Sequence, residues 1–158
     1  MAARAVLKAA LAAPLLLGLA AGPSLSQDAS PAPPGARETF RWPLRGPILH
    51  PFKSGENDGV DITASVGEWV HAAADGVCTY AGEDIKTYGK LILIRHADGY
   101  VTAYADNSEL MVKEGDAIKR GQIIAKAGDS GNAKSPRLHF ELRKDGQPID
   151  PVKYLVPL

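Results

Sequence analysis

The chain has 158 residues, enough for one domain whose core folds without disulfide or metal staples, and its single cysteine, Cys78, cannot form an intrachain disulfide. Its formal charge is zero; residues 1–26 carry Arg4 and Lys8 and no acid, which leaves 16 basic against 18 acidic residues over the rest. That balance excludes the basic footprint of a nucleic-acid-binding protein.

Residues 1–26 have the pattern of a cleavable secretory signal: Arg4 and Lys8, an apolar run from Ala9 to Ala21, then Ser24-Leu25-Ser26 as a small-x-small cleavage site. The apolar run is short for a membrane span and Pro14 interrupts it. No cysteine stands at the cleavage position, so no stable membrane anchor is expected, a retained anchor helix being the alternative. The mature protein is expected in the periplasm. Residues 27–39 (QDASPAPPGARET) are rich in proline and alanine and suit a flexible linker.

The folded domain is expected over residues 40–158. Phe40-Arg41-Trp42-Pro43-Leu44 opens it, and Gly59-Val60-Asp61-Ile62 follows a polar loop from Lys53 to Asp58. Val70 to Tyr80 has the pattern of a strand pair broken at the turn dipeptide Asp75-Gly76. Leu91-Ile92-Leu93-Ile94 is a short unbroken apolar run, consistent with a strand buried on both faces. Asp98-Gly99 makes the next turn, and Tyr100 to Tyr104 the return strand. In Val112 to Ala125, two glycine turns at Gly115 and Gly121 precede apolar pairs. Cys78 alternates as a small buried hydrophobe. No window of helical length carries a 3.6-residue period. An all-β fold with little helix follows, an antiparallel β-sandwich or partly open barrel.

Pro136-Arg137-Leu138-His139-Phe140-Glu141-Leu142 alternates, sending Leu138, Phe140 and Leu142 to one face and Arg137, His139 and Glu141 to the other. Together with Trp42-Pro43, Asp58-Gly59-Val60-Asp61, Ala73-Ala74-Asp75-Gly76-Val77, Tyr88-Gly89-Lys90-Leu91, Ile94-Arg95-His96 and Thr102-Ala103-Tyr104-Ala105, this stretch resembles the LytM domain family of zinc peptidoglycan endopeptidases. The resemblance runs from about Phe40 to Leu155 and implies the duplicated-hybrid-motif type of β fold. Active members hold zinc by a histidine, an aspartate four residues later, and the second histidine of a His-x-His strand. Two further histidines assist the attacking water.

Mapped onto this sequence, the lost ligand position is Asn57, and the residual ligand positions are Asp61 and His139. The two proton-handling positions are Asp106 and Arg137. Catalytic zinc is usually held by three protein donors plus water; an asparagine amide is a poor donor, and an arginine cannot act as a base. Arg137 is expected to stand in for the metal's charge between Asp61 and Asp106. No metal and no cofactor are expected, and zinc only if the endopeptidase alternative holds.

These departures resemble the degenerate LytM domains of the NlpD-type murein hydrolase activators. That resemblance implies a non-catalytic periplasmic activator of peptidoglycan N-acetylmuramoyl-L-alanine amidases in septal cell-wall splitting and cell division, a pseudoenzyme. Its partner would be the amidase, with peptidoglycan and divisome proteins as further contacts. The implied partner-binding groove comprises Asn57, Asp61, Tyr88, Tyr104, Asp106, Arg137 and His139. The alternatives are a surviving zinc-dependent endopeptidase and, remotely, a biotinyl or lipoyl carrier, which the lack of a Met-Lys pair disfavours. His50, His71 and His96 are taken as structural histidines, and Tyr88 and Tyr104 could equally be plain sheet aromatics.

Overall fold

The computed structural model describes residues 39–156; the expected signal sequence, and all of the expected linker except Thr39, lie outside them. Twelve strands follow in chain order: β1 (Phe40–Arg41), β2 (Ile48–His50), β3 (Val60–Thr63), β4 (Trp69–His71), β5 (Gly76–Gly82), β6 (Lys90–Arg95), β7 (Tyr100–Leu110), β8 (Ala117–Ile118), β9 (Ile123–Ala127), β10 (Arg137–Lys144), β11 (Gln147–Ile149) and β12 (Leu155–Val156). Helical geometry among the described residues is confined to single 3-10 turns at Ala97–Gly99 and Pro151–Lys153. No helix there is long and apolar enough to cross a membrane.

Ten strands form one antiparallel sheet in the order β2-β3-β10-β7-β6-β5-β8, with β11 on β10 and β9 joining β7 to β4. β1 and β12 pair in parallel as a separate ribbon. The expected all-β antiparallel class is therefore the observed one. Leu91 and Leu93 pack with Ala103 and Ala105 on one side of β6, while Ile92 and Ile94 enter the main core on the other. Their continuous apolar run is what a strand covered on both faces requires. Asp98 and Gly99 both take positive φ, 54° and 74°, the geometry that matches hairpin turn to strand twist between β6 and β7.

The segment from Val70 to Tyr80 is corrected. It does break at Asp75-Gly76, but β4 and β5 do not pair with each other: β4 pairs with β9, and β5 with β6 and β8. Asp75 is held instead by a long-range contact, its Oδ1 accepting the Arg120 N–H at 2.7 Å. Gly115 and Gly121 do make turns with positive φ, yet the β8 and β9 strands after them likewise seek different partners. Cys78 is buried, as its alternation implied, and burial pushes its thiol up to about 11.

β7 is longer than its expected Tyr100–Tyr104 and changes partners midway. Up to Ala105 it pairs with β10; from Asn107 it pairs with β9. The switch falls at Asp106, whose φ of 65° is left-handed, a conformation that aspartate tolerates better than most residues.

His96 is a structural histidine, 7% exposed, with Nδ1 2.6 Å from the Asp75 carbonyl and Nε2 2.7 Å from Thr102 Oγ1. Burial depresses its pKa below 6.5, against a smaller opposing pull from Asp75. A folded-state pKa below the unfolded one gives stability that is complete above pH 6.5 and declines as the pH falls below it. Chemical denaturation at pH 7.5 and 5.5 is expected to show wild type losing stability relative to His96→Gln at the lower pH. A pH-independent difference between the two proteins would contradict this.

Candidate functional site

The site is built on the polar face of β10. Alternation buries Leu138, Phe140 and Leu142 in the core and turns Arg137, His139, Glu141 and Arg143 to the opposite face. Register then supplies the partners: His139 lies across from Asp61 on β3 and from Ala105 on β7. Gly59 allows β3 to approach this closely, since a Cβ there would stand 2.2 Å from the Phe140 carbonyl oxygen.

Arg137 bridges two carboxylates. Its Nη1 donates to Asp61 Oδ2 at 2.9 Å and its Nε to Asp106 Oδ2 at 2.7 Å. His139 joins Asp61 to a third, Glu141, with Nδ1 2.6 Å from Asp61 Oδ1 and Nε2 3.1 Å from Glu141 Oε1. Glu141 is fully buried; its Oε1 accepts from the Tyr88 hydroxyl at 3.1 Å and its Oε2 from Arg143 Nε at 2.7 Å. Arg143 continues to Asp58, 3.3 Å away. Four carboxylates thus alternate with two guanidinium groups and an imidazole across the face of one strand.

The electrostatics follow from that alternation. Burial disfavours an imidazolium at His139, but the Asp61 and Glu141 carboxylates outweigh it and raise its pKa to about 9. Burial likewise disfavours the Glu141 carboxylate, and His139 and Arg143 reverse the effect, holding it down to about 2. Asp61 is held below the usual carboxylate range by His139, Arg137 and His50 despite burial. Burial shifts Asp106 upward, with Asp61 adding to the rise, and the opposing pull of Arg137 and His139 does not cancel it. At neutral pH both His139 nitrogens therefore act as donors.

The expected groove residues are partly reassembled. Asn57, Tyr88, Asp106, Arg137 and His139 line a cavity of about 190 Å³ above the β10 face. Asp61, 5% exposed, lies below it and reaches a neighbouring cavity of about 410 Å³, on the far side of Asn57. Tyr104 is corrected: it is fully buried on the opposite face of β7, its hydroxyl accepting the Ala73 N–H at 2.9 Å. Register explains why. Tyr104 lies opposite Phe140, a core position, and their ring centroids are 5.3 Å apart with the planes tilted by 55°.

His50 is corrected in the other direction. The sequence places it in a loop with a structural role, yet its Nδ1 is 2.9 Å from Asp61 Oδ2. A β-bulge between Ile48 and His50 carries it opposite Asp61, and no local sequence signal foretells a bulge. Arg143 was also missed, although it continues the alternation of Arg137, His139 and Glu141. His71 keeps its structural role, with Nδ1 3.0 Å from the Gly121 carbonyl.

The zinc implied by the LytM resemblance does not fit this donor set. A metal ligand needs a free lone pair. Both His139 nitrogens face carboxylates and so offer no lone pair, Asp61 already accepts from Arg137 as well as facing His139 and His50, and the asparagine amide at position 57 is a poor metal donor. A permanent guanidinium cation also stands between Asp61 and Asp106. Among the described residues, no group of three histidine, cysteine, aspartate or glutamate side chains is arranged to hold a metal.

Comparison with known proteins agrees with the site's ancestry. Residues 55–151, more than half of the chain, match Peptidase family M23. Murein hydrolase activator NlpD of Escherichia coli strain K12 is 44% identical over 119 residues, covering 74% of this chain and 31% of NlpD. The uncharacterized lipoprotein YgeR of the same strain is 40% identical over 137 residues, covering 85% of this chain and 54% of YgeR. The chain thus spans about a third to about half of the length of these relatives. A zinc-containing peptidase from Vibrio cholerae superposes with a TM-score of 0.68 at 28% identity, covering 73% of this chain and 39% of that one. The catalytic domain of lysostaphin from Staphylococcus simulans does so with 0.59 at 30% identity, covering 69% and 89%. The chain belongs to peptidase family M23, in its LytM-type form.

Proposed function

We propose that the domain is a non-catalytic activator of a peptidoglycan hydrolase, an N-acetylmuramoyl-L-alanine amidase, and grips that enzyme through the groove over β10. The observation that carries this reading is Arg137 joined to both Asp61 and Asp106. On this reading the guanidinium takes the place that zinc would hold in an active hydrolase of the family, and the His139 imidazole has both nitrogens engaged by carboxylates. The relatives named as murein hydrolase activators support a hydrolase partner; the amidase and a periplasmic location after export extend that reading. The groove offers anchors suited to a protein partner, an arginine and a tyrosine beside charged rims.

The test is stimulation of a purified cognate amidase by this protein, with and without a chelator. Stimulation that survives chelation, with no lysis of purified peptidoglycan by the protein alone, is the expected result. Lysis by the protein alone, lost on chelation, or stoichiometric zinc in the wild-type protein at neutral pH, would overturn it. Arg137→Ala is expected to reduce stimulation, and full stimulation by that variant would remove Arg137 from the partner surface.

A further inference from the structure

A third cavity, of about 270 Å³, opens at β4 and is lined by Arg41, Leu44, Arg45, Glu68, Trp69 and His71. None of these residues lines the β10 groove. We propose that it binds a saccharide bearing a free carboxylate, the chemical form of glycan that an amidase leaves behind.

Trp69 supplies the plate. It is 46% exposed, and its orientation is fixed from one side by Lys126, whose Nζ lies 5.2 Å from the ring centroid and is itself held by Glu109 at 2.7 Å. An indole face is electron-rich and packs against the polarised C–H face of a pyranose. The guanidinium groups supply the anion site. Arg41 Nε is buried without a hydrogen-bond partner, an uncommon condition for a buried donor, and the exposed Arg45 lies on the same wall. Guanidinium groups match carboxylates in both charge and shape. Acceptors for sugar hydroxyls are also present. His71 Nδ1 donates to the Gly121 carbonyl, so Nε2 is the ring nitrogen left for the cavity. Glu68 uses Oε2 for the Ser65 N–H and retains Oε1. The volume falls below the roughly 300–1,000 Å³ of drug-sized sites, which suits one ring with its substituent.

The source of the carboxylate rests on the amidase reading. Such an enzyme adds water across the amide between the lactyl carboxyl of a muramoyl residue and its peptide. The peptide leaves as an amine, and the sugar keeps a lactyl carboxylate. A protein that stimulates that reaction and binds its glycan product would stay where cutting has begun.

The test is calorimetric titration of the protein with three probes: a muramic-acid disaccharide with a free lactyl carboxylate, the same disaccharide amidated, and neutral chitobiose. The free acid is expected to bind at least roughly tenfold more tightly than either other probe, a preference carried by charge-assisted hydrogen bonds. Trp69→Ala is expected to abolish binding and Trp69→Phe to retain part of it, both with unchanged melting temperature; Arg45→Ala should reduce the preference for the acid. Equal affinity for all three probes, tighter binding of an acidic peptide, absence of saturable binding, or full binding by Trp69→Ala would overturn the proposal. Amidase stimulation on a soluble substrate separates the two readings, because Trp69→Ala is expected to leave it unchanged. Saccharide binding without any stimulation would defeat the activator reading and leave only a carboxylate-saccharide site.

Discussion

Replacing Arg137 by methionine is expected to destabilise the domain by about 3 kcal/mol or more, the range for removing one partner of a buried ion pair. Asp61 and Asp106 are 5% and 1% exposed, so without the guanidinium two carboxylates would face each other out of water. Asp61 would keep His50 and His139 as partners, whereas Asp106 has only Arg137 as an ion-pair partner among the described residues. Most of the loss should therefore originate at Asp106, and Asp106→Asn in the same background is expected to recover part of it. Thermal unfolding followed by circular dichroism would read the change as a fall on the order of 10 °C. A loss below about 1 kcal/mol, the level of a solvent-exposed pair, would show that Arg137 does not neutralise the site. The experiment also separates two roles: Arg137→Lys keeps the charge but cannot span both carboxylates as a rigid fork, so it should recover less than a full charge replacement would predict.

Arg143→Met should be comparably damaging, by about 3–5 kcal/mol, for a reason confined to the scaffold. Arg143 is 1% exposed and Glu141 fully buried; removing the arginine leaves Glu141 with only the His139 and Tyr88 contacts and deprives Asp58 of its ion pair. The double variant Arg143→Met with Glu141→Gln is expected to be more stable than Arg143→Met alone, because it removes the stranded charge along with its partner. Urea unfolding of both single variants, the double variant and wild type decides the matter. If the double variant is as unstable as the sum of its single substitutions, loss of packing around the long arginine stem, rather than an unpaired charge, is the cause.

Much of this site was legible because a strand imposes a period of two. Alternation alone puts Arg137, His139 and Glu141 on one face, whereas the expected Arg137 bridge between Asp61 and Asp106 rests on the LytM resemblance together with charge. Tyr104 entered the groove only through the activator resemblance; its register opposite Phe140 makes it the plain sheet aromatic that was the alternative. His50 was not legible at all, since its place opposite Asp61 depends on a bulge and on strand pairing across a loop. The pairings of β4, β5, β8 and β9 were hidden for a related reason. Local turn chemistry marks where a strand stops, but long-range register decides which strand it meets.

The left-handed residue at which β7 changes partners narrows what this position can become. A φ of 65° at Asp106 is tolerated by aspartate, asparagine and histidine far better than by β-branched residues. Histidine is the residue an active LytM enzyme would carry there, so the backbone that now holds a carboxylate for Arg137 is already shaped for the imidazole of a hydrolase. Exchanging aspartate for histidine at position 106 therefore asks for a new side chain and no change of backbone.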